Sequence, residues 1–242
     1  RGVRRRVGGS VPQAGFELWA YDLQSHGRSE CIIEDTMCYV HRFQEFVDDT
    51  IQFYSMIKAM YPPDKKVFLF GASMGGCICA RVGQQIGATS PMDGVILLCP
   101  ALNVDKVKRQ CKNRVLLPLV GCLSRLVPTL ALGDKAPNTM YPVMDEIIAN
   151  DPLNYSGKLR VRIADEFIKT IDAAGADAHL WEPPLLMIHS EADTMCDPKG
   201  AWSCRPWSVS PRQSLRSTTG TADFYAKAIN CKDKTIGRLE ER

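Results

Sequence analysis

The chain has 242 residues, of which 45% are hydrophobic and 24% charged, and its formal net charge at pH 7 is +3. This composition is typical of a globular protein with one hydrophobic core, so we expect a single domain over residues 1–242. So small and scattered a net charge argues against a nucleic-acid-binding protein. No apolar run of the sequence is long enough to cross a bilayer.

Ten cysteines are present, but they form no CxxC pair and no Cys/His cluster with the spacing of a metal site. Cys77, Cys79 and Cys99 fall in apolar segments, where a thiol serves as a small hydrophobic side chain. We therefore expect reduced cysteines in a cytoplasmic protein, with neither a metal nor a cofactor.

Two strands and two helices are predicted in the first third of the chain. Residues 17–22 (ELWAYD) predict a buried strand. Apolar residues then recur at helical spacing over 43–61, and Pro62 and Pro63 end this helix. Residues 67–70 (VFLF) predict a second strand, which leads through a glycine-rich turn into a helix of small residues.

Two further apolar runs, 95–99 (VILLC) and 185–189 (LLMIH), predict the third and fourth strands. Apolar strands that alternate with helices form a parallel sheet that needs helices on both faces. The predicted fold class is therefore α/β, with a mostly parallel sheet flanked by helices.

Two segments depart from this alternation. Residues 102–180 are mainly helical in pattern, and an insertion at this point would stand above the carboxyl ends of the strands as a cap or lid. A helical subdomain with its own core explains the same pattern, and both interpretations can hold together. Residues 202–221 are rich in Ser, Arg and Pro and predict an irregular insertion.

The turn after the second strand carries the strongest chemical signal. Gly71-Ala72-Ser73-Met74-Gly75 fits the G-x-S-x-G pattern, in which the serine occupies a sharp strand-to-helix turn and small neighbours let the backbone pass close. A buried strand precedes the motif here and a helix follows it, which is the context that the motif requires. Ser73 is therefore predicted to be a catalytic nucleophile, with the Met74 backbone N–H as one donor of the oxyanion hole.

An acidic partner for Ser73 is predicted in the loop after the fourth strand. Asp193 lies just beyond that strand, which gives the serine-then-acid order of this motif class. Its role would be to orient a histidine and stabilise the imidazolium. Asp197 is the rival for the same role, and Asp193 is preferred because it lies nearer the end of the strand.

A histidine base should follow the acid, but none does. The sequence has four histidines, His26, His41, His179 and His189, and all precede Asp193. His26 is expected to shape a turn and His41 to lie at the surface. Triads are defined by geometry rather than by chain order, so one of the four could still act as the base.

Three segments carry a resemblance to a known family. Residues 21–29 (YDLQSHGRS), 71–76 (GASMGG) and 189–198 (HSEADTMCDP) resemble the monoacylglycerol lipase family, also called the serine aminopeptidase S33-like or lysophospholipase-like α/β-hydrolases. The resemblance covers roughly residues 15–201 and returns at 222–239. It implies an α/β-hydrolase fold with an eight-stranded sheet and a helical cap, and a cytosolic or membrane-associated enzyme. Ser73, Asp193 and Met74 match the family's nucleophile, acid and oxyanion donor.

The chain also departs from the family pattern. The resemblance implies a second oxyanion donor from a His-Gly loop upstream of residues 17–22, and a histidine after a strand resembling residues 235–239. Neither is found in this sequence. The expectation is therefore a chain truncated at both ends, with 202–221 as read-through sequence; a divergent protein with a surface insertion is the alternative.

Three functions follow from these observations. The first is a serine esterase for monoacylglycerol- or lysophospholipid-type esters, whose apolar cap would hold the acyl chain and contact a membrane surface. The second is a catalytically impaired binding protein that keeps the pocket but cannot activate Ser73. The third is an esterase for phenolic or acyl-shikimate esters, which related plant-type enzymes use.

Overall fold

The computed structural model describes residues 4–6, 15–103, 105, 111–133, 142–190, 193, 196–198 and 214–217. The strands in these ranges are β1 (Arg4–Arg6), β2 (Trp19–Tyr21), β3 (Leu69–Ala72), β4 (Val95–Leu98), β5 (Ala131–Gly133), β6 (Leu159–Arg160), β7 (Leu185–Ser190) and β8 (Ser214–Ser217). The α-helices are α1 (Gln44–Ala59), α2 (Met74–Ile86), α3 (Cys111–Leu126), α4 (Pro142–Ala149) and α5 (Val161–Ala176), and a 3-10 turn spans Asp177–Leu180.

The central sheet is parallel and has the strand order β3-β4-β7-β8. Leu69 pairs with Val95, and Val95 pairs in turn with Leu185, so the apolar runs predicted from the sequence lie side by side in register. The carboxyl ends of β3, β4 and β7 consequently meet at one edge of the sheet. This arrangement confirms the predicted α/β class.

Small residues allow α2 to pack closely on this sheet. Cys77, Cys79 and Ala80 are buried on α2, which lies against β3, β4, α1 and α5. At Gly83, a Cβ would lie 2.3 Å from the Trp181 ring, so only a glycine lets the indole close over the helix. The prediction that these cysteines serve as small apolar side chains agrees with their burial.

The remaining strands lie outside the central sheet. β1 and β2 form an antiparallel pair, and so do β5 and β6. Within the described residues the eight strands therefore belong to three sheets, whereas the family resemblance implies one. The difference arises at β3, which is an edge of the four-stranded sheet and is not joined to β2. Only one face of β3 is covered by the rest of the protein, since Leu69 is buried and Phe70, on the other face, is 50% exposed.

The stretch predicted to be an irregular insertion contains a strand. Residues 214–217 form β8, which pairs in parallel with β7 from Met187 to Ser190. Serine- and arginine-rich composition did not indicate this strand, because β8 depends on an existing edge for its hydrogen bonds. The rest of 202–221, the helical pattern at 222–228 and the strand-like segment 235–239 lie outside the described residues.

Between β4 and β7, the described residues are mainly helical. Helix α3 packs against α5, and the two are joined by a buried hydrogen bond of 2.5 Å from the Ser124 hydroxyl to Asp165. Arg160 donates to the carbonyl of Thr129 within this region and to that of Met37, which precedes α1, so this side chain connects the region to the rest of the protein. The large apolar residues of this region that remain exposed are Leu119, Leu126, Val127, Leu130, Leu132, Ile147, Ile148, Leu159 and Leu180. None of the helices in the described part of the chain combines the length and hydropathy that crossing a membrane requires.

Asp93 makes the fold sensitive to acid. Its mostly buried carboxylate accepts hydrogen bonds from the Val67 N–H, Lys58 and Lys66, and these lower its pKa from 3.8 to about 2. Because the pKa of Asp93 is lower in the folded chain than in the unfolded chain, its carboxylate stabilises the fold at pH values above about 4. This stabilisation is lost as the pH falls from about 4 to about 2. The urea midpoint of the wild type should therefore fall over this interval, and that of Asp93→Asn should fall less.

The matched control for Asp93 is Asp48→Asn. Asp48 is exposed and accepts one hydrogen bond from Gln44 on the same helix. This variant should keep the acid dependence of the wild type. Equal losses for the wild type and Asp93→Asn between pH 4 and pH 2 would contradict the assignment.

Candidate active site

Ser73 lies on a strained turn between β3 and α2. Its backbone has φ 50° and ψ −118°, a conformation that non-glycine residues rarely adopt. The turn is held by β4, because the Ser73 N–H donates to Leu98 O at 3.0 Å and the Ala101 N–H donates to Ser73 O at 3.0 Å. The side chain is exposed. The turn thus leaves Ser73 exposed, which is the geometry that a nucleophile elbow requires.

The glycines around Ser73 serve different purposes. A Cβ at Gly71 would lie 2.3 Å from Gly75 O and 2.6 Å from Cys79 Sγ, so strand and helix can meet only at a glycine. A Cβ at Gly76 would lie 2.7 Å from the Pro100 Cβ. At Gly75, in contrast, a Cβ would meet nothing within 4 Å. Packing therefore requires two of these glycines and leaves space at the third.

Met74 is the first residue of α2. The first N–H groups of a helix have no carbonyl partner within the helix, and the helix dipole is positive at this end. A negative charge that develops beside Ser73 would therefore meet N–H donors at the start of α2. This position is consistent with the predicted contribution of the Met74 N–H to an oxyanion hole.

The loop after β7 brings Asp193 and Cys196 towards Ser73. The Asp193 N–H donates to Ser190 O at 3.3 Å, and the Cys196 N–H donates to Asp193 Oδ1 at 2.9 Å. The Cys196 thiol then lies 3.6 Å from the Ser73 hydroxyl. Asp193 is thus linked to the serine through Cys196. The rival acid, Asp197, lies on the same loop and is buried, whereas Asp193 is partly exposed.

Cys196 is a site residue that sequence reasoning did not identify. Burial raises the pKa of its thiol to about 11, although the hydrogen bond with Ser73 lowers it somewhat. The thiol is therefore protonated at neutral pH and serves neither as a base nor as a nucleophile. The sequence offered one signal for Cys196, its position within the 189–198 segment that carries the family resemblance. Only the folded structure shows that its thiol contacts Ser73.

The four histidines are held by local contacts. Nδ1 of His26 lies 2.9 Å from Gln24 O, and burial lowers the pKa of this imidazole. Exposed His41 contacts the Tyr39 hydroxyl at 3.1 Å, and exposed His179 contacts Ala176 O at 3.1 Å. His189 is fully buried, with Nδ1 3.2 Å from Ser190 O. Among the described residues, the side chain within hydrogen-bonding distance of the Ser73 hydroxyl is therefore the Cys196 thiol.

Comparison with known proteins assigns this arrangement to a family. The family model described as serine aminopeptidase, S33, matches residues 4–235. Monoglyceride lipase of Mus musculus is 26% identical over 205 residues, which cover 84% of this chain and 64% of that protein, so the chain spans just under two thirds of that relative's length. Caffeoylshikimate esterase of Arabidopsis thaliana is 25% identical over 189 residues, covering 76% of this chain and 55% of that protein.

A solved structure agrees in fold. The monoacylglycerol lipase of Paleococcus ferrophilus superposes with a TM-score of 0.66 at 19% identity, covering 90% of this chain and 84% of that one. The match of the family model extends over nearly the whole sequence and includes the strained Ser73 turn. The chain therefore belongs to the serine aminopeptidase S33 family and has an α/β-hydrolase fold.

Proposed function

We propose that the chain carries the nucleophile and the acid of a serine esterase for monoacylglycerol- or lysophospholipid-type esters. The observation that carries this proposal is the strained, exposed Ser73 turn at the junction of β3 and α2. Ser73 Oγ would attack the ester carbonyl carbon and transfer its proton to a base. The base would return this proton to the leaving oxygen, so that the alcohol departs and leaves an acyl-enzyme. Water would then attack the acyl carbon, giving one proton through the base to Ser73 Oγ, and would release the fatty acid and free Ser73.

The surrounding groups would lower the barrier of these steps. The Met74 N–H would stabilise the oxyanion of the tetrahedral intermediate, where a single donor contributes roughly 10²–10³ in rate. Asp193 would orient an imidazole and stabilise its charged form. The Cys196 N–H already holds one carboxylate oxygen of Asp193 at 2.9 Å, which limits the rotation of this side chain.

The substrate class is inferred from the region between β4 and β7 and from the relatives. We assign residues 102–180 as a cap, whose exposed apolar side chains on α3 and α4 suit an acyl chain and peripheral contact with a membrane surface. The similar mouse protein is a monoglyceride lipase. No disulfide joins the seven cysteines Cys31, Cys38, Cys77, Cys79, Cys99, Cys122 and Cys196, which suits a cytoplasmic location.

A second candidate is a binding protein whose Ser73 is not activated. The observation in its favour is the Cys196 thiol at 3.6 Å from the Ser73 hydroxyl, since a protonated thiol cannot accept the serine proton as a base. Such a protein would keep the exposed apolar side chains between β4 and β7 and the strained turn. It would hold a lipid ester without cleaving it.

Covalent labelling by a fluorophosphonate distinguishes the two candidates. The reagent requires an activated serine, so the wild type should be labelled at Ser73, as located by peptide mass spectrometry. Ser73→Ala should not be labelled, and Ser90→Ala, which changes an exposed serine beyond α2, should be labelled like the wild type. A wild type that remains unlabelled while a lipid ester binds would support the second candidate and contradict the first.

A further inference from the structure

Three side chains of different chemistry meet at the carboxyl edge of the central sheet. Cys99 follows β4, His189 is near the end of β7, and Asp193 lies in the loop beyond it. One ligand atom from each, the thiol sulphur, an imidazole nitrogen and a carboxylate oxygen, lies within 4.8 Å of the other two. The cluster adjoins the Ser73 turn, because Leu98, the residue before Cys99, accepts the Ser73 N–H.

Strand register explains why the three side chains meet. Leu98 pairs with Ile188, so the next residue on each strand, Cys99 and His189, occupies neighbouring positions. The Cys99 N–H extends this pairing by donating to Ile188 O at 2.7 Å. The Asp193 N–H then donates to Ser190 O, which holds Asp193 close to the end of β7.

The donor set fits one class of metal ion. A thiolate, an imidazole and a carboxylate are the ligands that Zn²⁺ combines in proteins, with bonds of roughly 2.0–2.3 Å and tetrahedral geometry. Such an ion needs its ligand atoms within a few ångströms of each other, and the 4.8 Å limit of this cluster is within reach of small side-chain rotations. Three protein ligands would leave the fourth position to water.

Outer contacts orient two of the ligands. His189 Nδ1 lies 3.2 Å from Ser190 O, and a carbonyl can only accept, so Nδ1 carries the proton and Nε2 keeps its lone pair. A metal-binding histidine commonly donates its other ring N–H to a backbone carbonyl in this way. The Cys196 N–H holds Asp193 Oδ1 at 2.9 Å. Cys99 and His189 are buried, and Asp193 is partly exposed.

We propose that Cys99, His189 and Asp193 bind a zinc-class divalent ion beside Ser73. The site differs from the expectation of no metal, because Cys99, which follows β4, is far in the sequence from His189 and Asp193 and joins them only through the pairing of β4 with β7. Binding would displace the Cys99 thiol proton into solvent. The proposal does not depend on esterase activity. If Asp193 is also the catalytic acid, a bound ion would engage the carboxylate that should orient an imidazole.

Titration of the full, metal-depleted chain with Co²⁺ tests this site. Tetrahedral Co²⁺ with a thiolate ligand gives a sulphur-to-metal charge-transfer band and intense visible absorption, so the readout is separate from ester hydrolysis. The wild type should bind one equivalent with this band, and Zn²⁺ should displace it. Cys99→Ala should lose the band. His189→Gln and Asp193→Asn should bind the ion at least about 10–100-fold more weakly, because even the loss of a group that only orients a metal ligand lowers the affinity by this factor.

The matched control is Cys122→Ala, which removes an exposed thiol on α3. It should keep both the band and the affinity of the wild type. Asp193→Asn is the ligand variant expected to disturb folding least, because asparagine has the shape of aspartate and the position is a partly exposed loop. A wild type without the band, a band that survives Cys99→Ala, or unchanged Zn²⁺ affinity in Asp193→Asn would each overturn the proposal.

Discussion

Gly71→Ala should lower the free energy of unfolding by at least about 3 kcal/mol, at or above the upper end of the usual cost of overpacking. The added Cβ would lie 2.3 Å from Gly75 O and 2.6 Å from Cys79 Sγ, and the first of these is a backbone atom that cannot rotate away. For a domain of this size the midpoint of thermal unfolding should fall by roughly 6–12 °C. Circular dichroism during heating measures this shift.

Gly75→Ala is the matched control, because it changes the other glycine of the same motif. A Cβ there meets nothing within 4 Å, and the position lies in α2, where alanine is favoured over glycine by about 1 kcal/mol. This variant should be as stable as the wild type or slightly more stable. Equal destabilisation by the two substitutions would show that the strand-to-helix contact is not as described.

Ser73→Ala and Asp193→Asn should produce the largest losses of hydrolytic rate. If a base activates Ser73, the analogy with other serine hydrolases predicts that removal of the nucleophile lowers kcat by about 10⁶-fold and removal of the acid's charge by about 10⁴-fold. Without such a base, neither substitution should change the rate. The measurement is fatty-acid release from a medium-chain monoacylglycerol. A small phenolic ester, compared in parallel, would separate the lipid from the aromatic substrate class.

Asp197→Asn is the control for the acid, since Asp197 lies on the same loop and was the rival assignment. It should stay within several-fold of the wild type. If Asp197→Asn causes the large loss and Asp193→Asn does not, the acid is misassigned. If the wild type is no faster than Ser73→Ala, the esterase proposal fails for this chain and the binding protein becomes the better description.

The strands and the Ser73 turn were predictable because their signals are local. Residues 95–99 and 185–189 are short apolar runs, and the structure places β4 and β7 within one residue of their ends. The helix predicted over 43–61 is observed as Gln44–Ala59, which ends shortly before Pro62 as the proline predicts. The motif at 71–75 combines a strand, small residues and a helix, so its geometry follows from neighbours in the chain.

Side-chain encounters between distant segments were not predictable. The Cys196 thiol reaches the Ser73 hydroxyl only because the fold brings the segment after β7 to the turn between β3 and α2. Cys99 and His189 become neighbours through the register of two parallel strands. No periodicity or spacing within either segment contains this information.

The sequence by itself determined the α/β class, four of the strands, the nucleophile motif and the family resemblance. Each of these depends on side-chain periodicity or on steric limits within a few residues, which the chain specifies locally. The tertiary structure decided that β8 forms at the edge of β7, that a thiol faces Ser73, and that Cys99, His189 and Asp193 converge. These features depend on strand register and loop closure, which are set by packing of the whole core and not by any one segment.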